Sequence, residues 1–474
     1  MAKKSKAIRS LEAQREYMAG IQEISAPEYI PFRSDLLNLF VGGIGFGGFT
    51  EISGDPNLYK STIAAEVIGA ALTMGAHVIV HDKERKLEES RFTTLGIHGA
   101  NKQNPKFWYF RQDWPRYRLT IEQYFRDMLD LFTVIRNDDL QRVKREFEDN
   151  SASDEAYEYY RRCLPEKERT KARTAGRAKT VASKLVIPAL LRKQDRSRIL
   201  TVLDSSTATP ADEEAPDENG EVGGDGKALR ARVWSKELCN MMWADDRVAG
   251  LHLAQKRLHL NFGGRSYKKA ASTTAQEFYY NCRMMTIPMA GGRLTRNPDD
   301  GTIIIGNPQN VAKEKQINQI GQIILMAIHK TLRGVKTEIP LFMLAMTGTD
   351  VVNSMWQFLV QRGLITHHHQ GAYKFKHGMF SRIWPNETFK PVEFINFYRN
   401  EGQRLWGVLQ DYMHVMLTGA PMEQPAVEVE LPSPFDEEPE SPKKPAKKKT
   451  STKKKTSKKK TTRKKASKKK GKKK

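Results

Sequence analysis

The segment Gly54-Asp55-Pro56-Asn57-Leu58-Tyr59-Lys60-Ser61, followed by Thr62, has the residue types of a phosphate-binding loop. It lies between a β-branched and aromatic run, residues 49–53, and a helical repeat of Ile63, Val67, Ala70, Ala71 and Met74. In a strand–loop–helix of this kind, backbone N–H groups and the helix N-terminus face the anion. A Lys in the last loop turn reaches β and γ phosphates, and the following hydroxyl holds Mg²⁺. The expected ligands are therefore ATP and Mg²⁺, with Lys60 on phosphate and Ser61 on the metal. Tyr59 stands where the pattern usually has its second glycine. An ordinary β–α turn is the competing reading.

Two acids fit the same chemistry. Asp204 ends an apolar run, residues 199–203, and Ser205-Ser206 follow it. A carboxylate at that strand end orients water on Mg²⁺. Glu84 follows the apolar strand 77–82 by two residues and can polarise an attacking water. Each alone could be a turn acid at a strand end. With Lys60 they make one site: Glu84 catalytic, Asp204 and Ser61 metal-binding.

These residues need strands and helices in alternation. Strands are expected at 49–53, 77–81, 199–203, 249–254, 284–288, 302–306 and 340–346, and a helix at 62–74. Apolar strands separated by helices predict an α/β fold with a mostly parallel central sheet. Residues 119–135 read as an amphipathic helix. Residues 137–196 are densely charged and read as a helical insertion, either a solvated arm or a DNA contact. Residues 208–228 are rich in Asp, Glu and Gly and read as a loop. Further on, helices are expected at 317–332, 352–362 and 405–417, with a hairpin at 366–376. This predicts a small C-terminal α/β lobe. His367-His368-His369 falls in that hairpin, where neighbouring side chains alternate between faces, so a surface turn is preferred to a metal site.

The formal charge is +24, but it is concentrated at one end. Residues 441–474 hold 20 Lys or Arg and no acid, which leaves 59 basic against 55 acidic residues elsewhere. Residues 421–440 carry seven acids and no base. A Lys-rich segment with no Val, Leu, Ile, Met or aromatic residue cannot build a core and is expected to be disordered. It would neutralise nucleic-acid phosphates without reading bases, or serve as a localisation or solubility tail. No window of about 18 uncharged apolar residues occurs, so no membrane span is expected. Nor is a secretory signal, because the basic start has no apolar region behind it. Cys163, Cys239 and Cys282 have no paired spacing, which excludes a disulfide scaffold and points to a reducing compartment.

Taken in order from Ser34 to Lys374, the motifs resemble the RecA recombinase family, in particular its phage UvsX-type members. Ser34-Asp35-Leu36-Leu37, Gly42-Gly43-Ile44 and residues 49–54 are similar to the family's approach to its phosphate loop, and Tyr59-Lys60-Ser61 to the UvsX-type loop end. His81-Asp82-Lys83-Glu84 with Leu95-Gly96-Ile97 resembles the segment whose Glu is the catalytic base, and Leu203-Asp204-Ser205 the metal-binding strand end. The resemblance implies that Gln255, closing the run 251–254, is the γ-phosphate sensor. It implies a DNA-binding loop at 256–272, with Lys256, Arg257, Arg265, Lys268 and Lys269, and a second near 224–234. Val311-Ala312-Lys313-Glu314-Lys315 is similar to a segment whose lysines, here Lys313 and Lys315, reach the ATP of a neighbouring subunit. Three features differ from the family: the 137–196 insertion, the lack of a Tyr near Arg91-Phe92 on the adenine side, and the basic tail.

The resemblance implies a RecA-like P-loop ATPase core over 30–350. An N-terminal oligomerisation helix within 1–29 would precede it, and a lobe at 351–420 would follow, then the acidic linker and the tail. The implied activity is a DNA-dependent ATPase. It would form homo-oligomeric helical filaments on single-stranded DNA and catalyse homologous pairing and strand exchange in recombination, repair and recombination-dependent replication. The implied partners are single-stranded and duplex DNA, with single-strand-binding and mediator proteins. The implied location is the cytoplasm, that of the host if phage-encoded. Two alternatives stay open: a hydrolysis-poor DNA-coating or packaging filament, and a RecA-core helicase or motor.

Overall fold

The computed structural model describes residues 28–418 except 114–115, 151–195, 213–229, 231, 235, 238–245, 261–265, 271–278, 297–302, 306–318, 332–335, 370, 377–379, 381–382 and 385–387. The strands are β1 (Tyr29–Ile30), β2 (Ile44–Gly45), β3 (Gly48–Gly54), β4 (His77–Asp82), β5 (Phe107–Arg111), β6 (Ile199–Asp204), β7 (Val248–Leu260), β8 (Ser266–Ala270), β9 (Tyr280–Arg296), β10 (Ile303–Ile305), β11 (Gln319–Lys330), β12 (Thr337–Leu344), β13 (Gly348–Asp350), β14 (Ile365–His369) and β15 (Ala372–Phe375). The principal helices are α1 (Asp35–Val41), α2 (Lys60–Thr73), α3 (Glu89–Thr94), α4 (Ile121–Asn150), α5 (Val351–Gln361) and α6 (Pro391–Thr418).

β3 and β6 are buried at every position, as strands covered on both faces must be. The central sheet runs β13-β12-β11-β9-β3-β7-β6-β4-β5, with β8 and β10 as side branches on β7 and β9. Pairing is parallel from β9 through β3, β7, β6 and β4 to β5. It is antiparallel from β9 through β11 and β12 to β13. The expected α/β architecture is present as a mixed, mostly parallel sheet of nine strands in series flanked by helices.

Each face has its own core. On one, α1, α2 and α5 pack with α6 and the β14–β15 hairpin, through residues such as Phe40, Ile63, Val67, Phe358, Phe394 and Leu405. Small residues Ala64, Ala65 and Ala71 let α2 lie close to the sheet. On the other face, α4 brings Tyr124, Phe125 and Met128 against Phe49, Ile79, Leu203 and Trp234. α1 begins at a Ser34 cap whose hydroxyl accepts from Leu37 N and ends at Gly42 in the left-handed conformation. Asp350 caps α5 by accepting from Asn353 N at 3.0 Å.

One expected helix is a strand. Residues 317–332 contain β11, hydrogen-bonded antiparallel to β9 and β12 on its two sides. Ile323, Ile324, Met326, Ala327 and Ile328 are all buried, because a central strand needs apolar side chains on both faces. An unbroken apolar run of that kind matches helical spacing as well as strand spacing. Gly321 fits the strand: a Cβ there would lie 2.1 Å from Met343 O on β12.

The expected DNA loop at 256–272 is, in its described part, a hairpin. β7 continues to Leu260 and pairs with β8, placing Lys256 opposite Ala270, Arg257 opposite Lys269 and Leu258 opposite Lys268. Arg265, Lys313 and Lys315 lie outside the described residues. So do the N-terminal segment 1–27, insertion residues 151–195, most of the second DNA segment 224–234, the acidic linker and the basic tail. Among the described residues, 137–150 extend α4. The chain divides into a unit ending at His414 and another from Val415 onward, of which only the helix end to Thr418 is described. No described helix is long and apolar enough to cross a membrane.

Candidate nucleotide-binding site

The carboxyl ends of four adjacent parallel strands supply the site: β3, β7, β6 and β4. That is where ligands bind in open α/β sheets. β3 ends at Gly54, where a Cβ would stand 1.9 Å from Thr286 Oγ1 and 2.9 Å from Thr286 O on β9, so only glycine fits. The loop then crosses to α2, anchored by the buried Leu58. Asn57 (φ 62°) and Tyr59 (φ 58°, ψ 14°) are left-handed. Tyr59 therefore occupies the backbone state that a glycine would supply. The strain is on the order of 1–2 kcal/mol, offset by packing of the half-buried Tyr59 side chain against the main core. Arg85, beside Glu84, is the third non-glycine with positive φ among the described residues. All three sit in the two loops that form this site, where stored backbone strain characteristically gathers.

Lys60 is buried and its Nζ donates to Gly54 O at 3.1 Å and Asp55 O at 2.7 Å. Burial lowers its pKa to about 8, against the opposing pull of Asp204. Ser61 Oγ donates to Asp204 Oδ2 at 2.6 Å. Burial raises the Asp204 carboxyl to about 7; the Ser61 hydrogen bond opposes this, while neighbouring Glu84 and Asp82 add to it. Asp82 and Asp204 are register partners on β4 and β6, and Asp82 Oδ2 accepts from Leu87 N at 2.8 Å and Tyr109 OH at 2.9 Å.

Glu84 stands at the centre of a polar cluster. Gln255 Nε2 donates to its Oε1 at 2.6 Å, Ser205 is a further hydrogen-bond partner, and Lys86 pairs with Oε2. Burial pushes the Glu84 carboxyl up, but the bonds from Lys86, Ser205 and Gln255 outweigh it and hold it below the usual range. The cleft of about 240 Å³ is lined by residues 57–62 with Glu84, Lys86, Arg91 and Asp204.

Lys60, Ser61, Thr62, Glu84 and Asp204 thus line one cleft, and Gln255 reaches it through Glu84. Lys256 and Arg257 follow Gln255 directly on β7. Lys86 and Arg91 are additions that spacing alone does not reveal; the charge-dense run Lys83-Glu84-Arg85-Lys86 is the one signal for the first. Arg91 Nη2 donates to Thr62 Oγ1 at 2.6 Å and its Nη1 to Ala345 O at 2.9 Å, which fixes α3 to the start of α2.

The residues fit a magnesium nucleotide. Lys60 and Asp204 are buried charges whose shifted pKa values would return toward normal beside an anion and a divalent cation respectively. Among the described residues no group of three or more His, Cys, Asp or Glu is placed to hold a metal unaided. Mg²⁺ characteristically takes one or two protein groups and completes its shell with phosphate oxygens and water, and Ser61 with Asp204 would supply that share. No protein-family model matches the chain, and no curated protein matches it as a relative.

Proposed function

We propose that this protein is an ATP-dependent DNA recombinase that coats single-stranded DNA as a filament and pairs it with homologous duplex. The observation that carries the ATPase reading is the meeting of Lys60, Ser61, Glu84, Asp204 and Gln255 at adjacent strand ends. The recombinase reading draws on the resemblance between Ser34 and Lys374, and on the cations that follow Gln255 along the β7–β8 hairpin.

In this reading Lys60 and the loop N–H groups hold the β and γ phosphates, and Ser61 and Asp204 hold Mg²⁺. A metal held by Ser61 and Asp204 would supply neutralisation of the charge that develops on the phosphate oxygens. Glu84 takes the proton of the attacking water as its oxygen bonds to the γ-phosphorus. The bond to the bridging oxygen breaks and ADP leaves with the electron pair. Gln255 touches Glu84 and opens the hairpin strand, so phosphate chemistry and DNA contacts share one side chain.

ATP turnover with and without single-stranded DNA, D-loop formation with homologous duplex, and electron microscopy with a non-hydrolysable ATP analogue test this together. DNA-stimulated turnover, filaments and D-loops are expected. Filaments that bind ATP without turnover would favour the DNA-coating reading, and turnover without D-loops a motor.

A further inference from the structure

Lys86 has a place in the cleft that the hydrolytic steps just described do not use. It lies two residues beyond Glu84, in the turn between β4 and α3. The turn is pinned by fully buried Leu87, whose N–H donates to Asp82 Oδ2 at 2.8 Å. The ammonium pairs with Glu84, yet 42% of the Lys86 side chain is exposed, against 13% for Glu84. It lines the same cleft as Lys60, Arg91 and Asp204. The Lys60 ammonium feels its charge, as does the Asp204 carboxyl. Lys86 therefore has both a partner and room to leave it.

Two requirements conflict at Glu84. A carboxylate held by an ammonium is a weaker base, so the pair must loosen before Glu84 can take a proton from water. The terminal phosphate of a triphosphate carries more charge and more acceptor oxygens than a carboxylate, and charge-assisted bonds to it are strong. A diphosphate ends one phosphoryl group short of that position.

We propose that Lys86 is a substrate-operated latch: it holds Glu84 in the resting site, and transfers to the γ-phosphate of a bound nucleoside triphosphate, which frees Glu84 for the attacking water. The inference rests on the nucleotide-site reading. Lys86 becomes a phosphate ligand when the substrate is a triphosphate, and it keeps Glu84 locked when the ligand is a diphosphate. The latch thus ties activation of the base to the identity of the nucleotide.

A binding cycle that needs no hydrolysis tests it. Affinities for the β,γ-imido analogue of ATP and for ADP, with Mg²⁺, are measured by calorimetry for the parental chain, Lys86→Met, Glu84→Gln and the double variant. Lys86→Met should weaken the triphosphate analogue about tenfold, the scale of one charge-assisted hydrogen bond, and ADP less than about twofold. Glu84→Gln should tighten the analogue, and more so when Lys86 is present, because Lys86 no longer has to leave a partner. Lys86→Arg should retain the preference for triphosphate. Equal or greater tightening by Glu84→Gln in the Lys86→Met background would mean that the pair stays closed on binding, and would overturn the latch alone. A parental chain that binds neither nucleotide would overturn the nucleotide site itself and the latch with it.

Discussion

Gln255 and Glu84 are 171 residues apart in sequence, and their side chains meet at 2.6 Å. The contact exists because β7 and β4 flank β6, so that their carboxyl ends open onto one cleft. Gln255 N also donates to Thr207 Oγ1 at 3.0 Å, which fixes the backbone while the side chain reaches Glu84. Lys256, the next residue, begins the pairing with β8. Gln255 therefore stands between the Glu84 carboxylate and the first residue of the β7–β8 pairing.

Glu84→Gln should keep nucleotide binding and lose turnover by about 10²–10⁴-fold, the usual cost of removing a general base. In the proposed site, binding rests chiefly on Lys60 and the loop amides, which the substitution leaves in place. Phosphate release at saturating ATP checks this; hydrolysis at the parental rate would remove Glu84 from the role.

If the proposed site is right, Lys60→Ala should abolish nucleotide binding and ATP-dependent filaments, since it removes the charge that the proposal sets against the β and γ phosphates. In the parental chain the Lys60 pKa is lowered to about 8. Nucleotide affinity should then fall as pH rises from 7 to 9, as the ammonium loses its proton. Calorimetric titrations across that range provide the measurement, and a flat profile would count against Lys60 as the phosphate ligand.

Asp204 makes stability itself depend on pH. Its folded pKa of about 7 lies above the ordinary aspartate value of 3.8, so the folded state binds the proton more tightly. The stability this contributes is fully present below the unfolded pKa and is lost as pH rises through 7. In EDTA the melting temperature of the parental chain should fall between pH 5 and pH 8 by more than that of Asp204→Asn. Mg²⁺ with nucleotide should raise it again at pH 8, and by more in the parental chain than in Asp204→Asn.

Tyr59→Gly should be more stable than Tyr59→Ala by about 1 kcal/mol. Both lose the ring's packing, but alanine keeps the left-handed strain at φ 58°. Chemical denaturation of the two variants provides the comparison. Alanine equal to or better than glycine would mean that the loop relaxes away from this conformation.

Removing residues 441–474 should leave the fold and basal ATPase unchanged, because the segment has no side chain suited to a core. It should weaken duplex binding and flatten its salt dependence, by about 0.9 in the slope of log K against log salt for each phosphate that the tail no longer neutralises. Salt titrations of the full and truncated chains decide this; equal slopes would place the tail off the DNA and favour a localisation role.

Local chemistry made much of the site legible in advance. Gly54, Lys60 and Ser61 stand out as candidates because a phosphate loop would need a tight turn, an ammonium and a hydroxyl at set spacing. Asp204 and Glu84 do so because apolar strands end at or just before them. The strands β3, β4 and β6 could be read because buried parallel strands are short apolar runs between loops. β11 could not, because a strand buried on both faces has no alternation to separate it from a helix, and only pairing with β9 and β12 decides its state. The same holds for Lys86 and for the reach of Gln255 to Glu84. Sequence places a lysine near a carboxylate and a glutamine after a strand, but the order β7-β6-β4 determines which side chains share a cleft. That order is set by which strands bury their edges against one another, a long-range choice that no local spacing records.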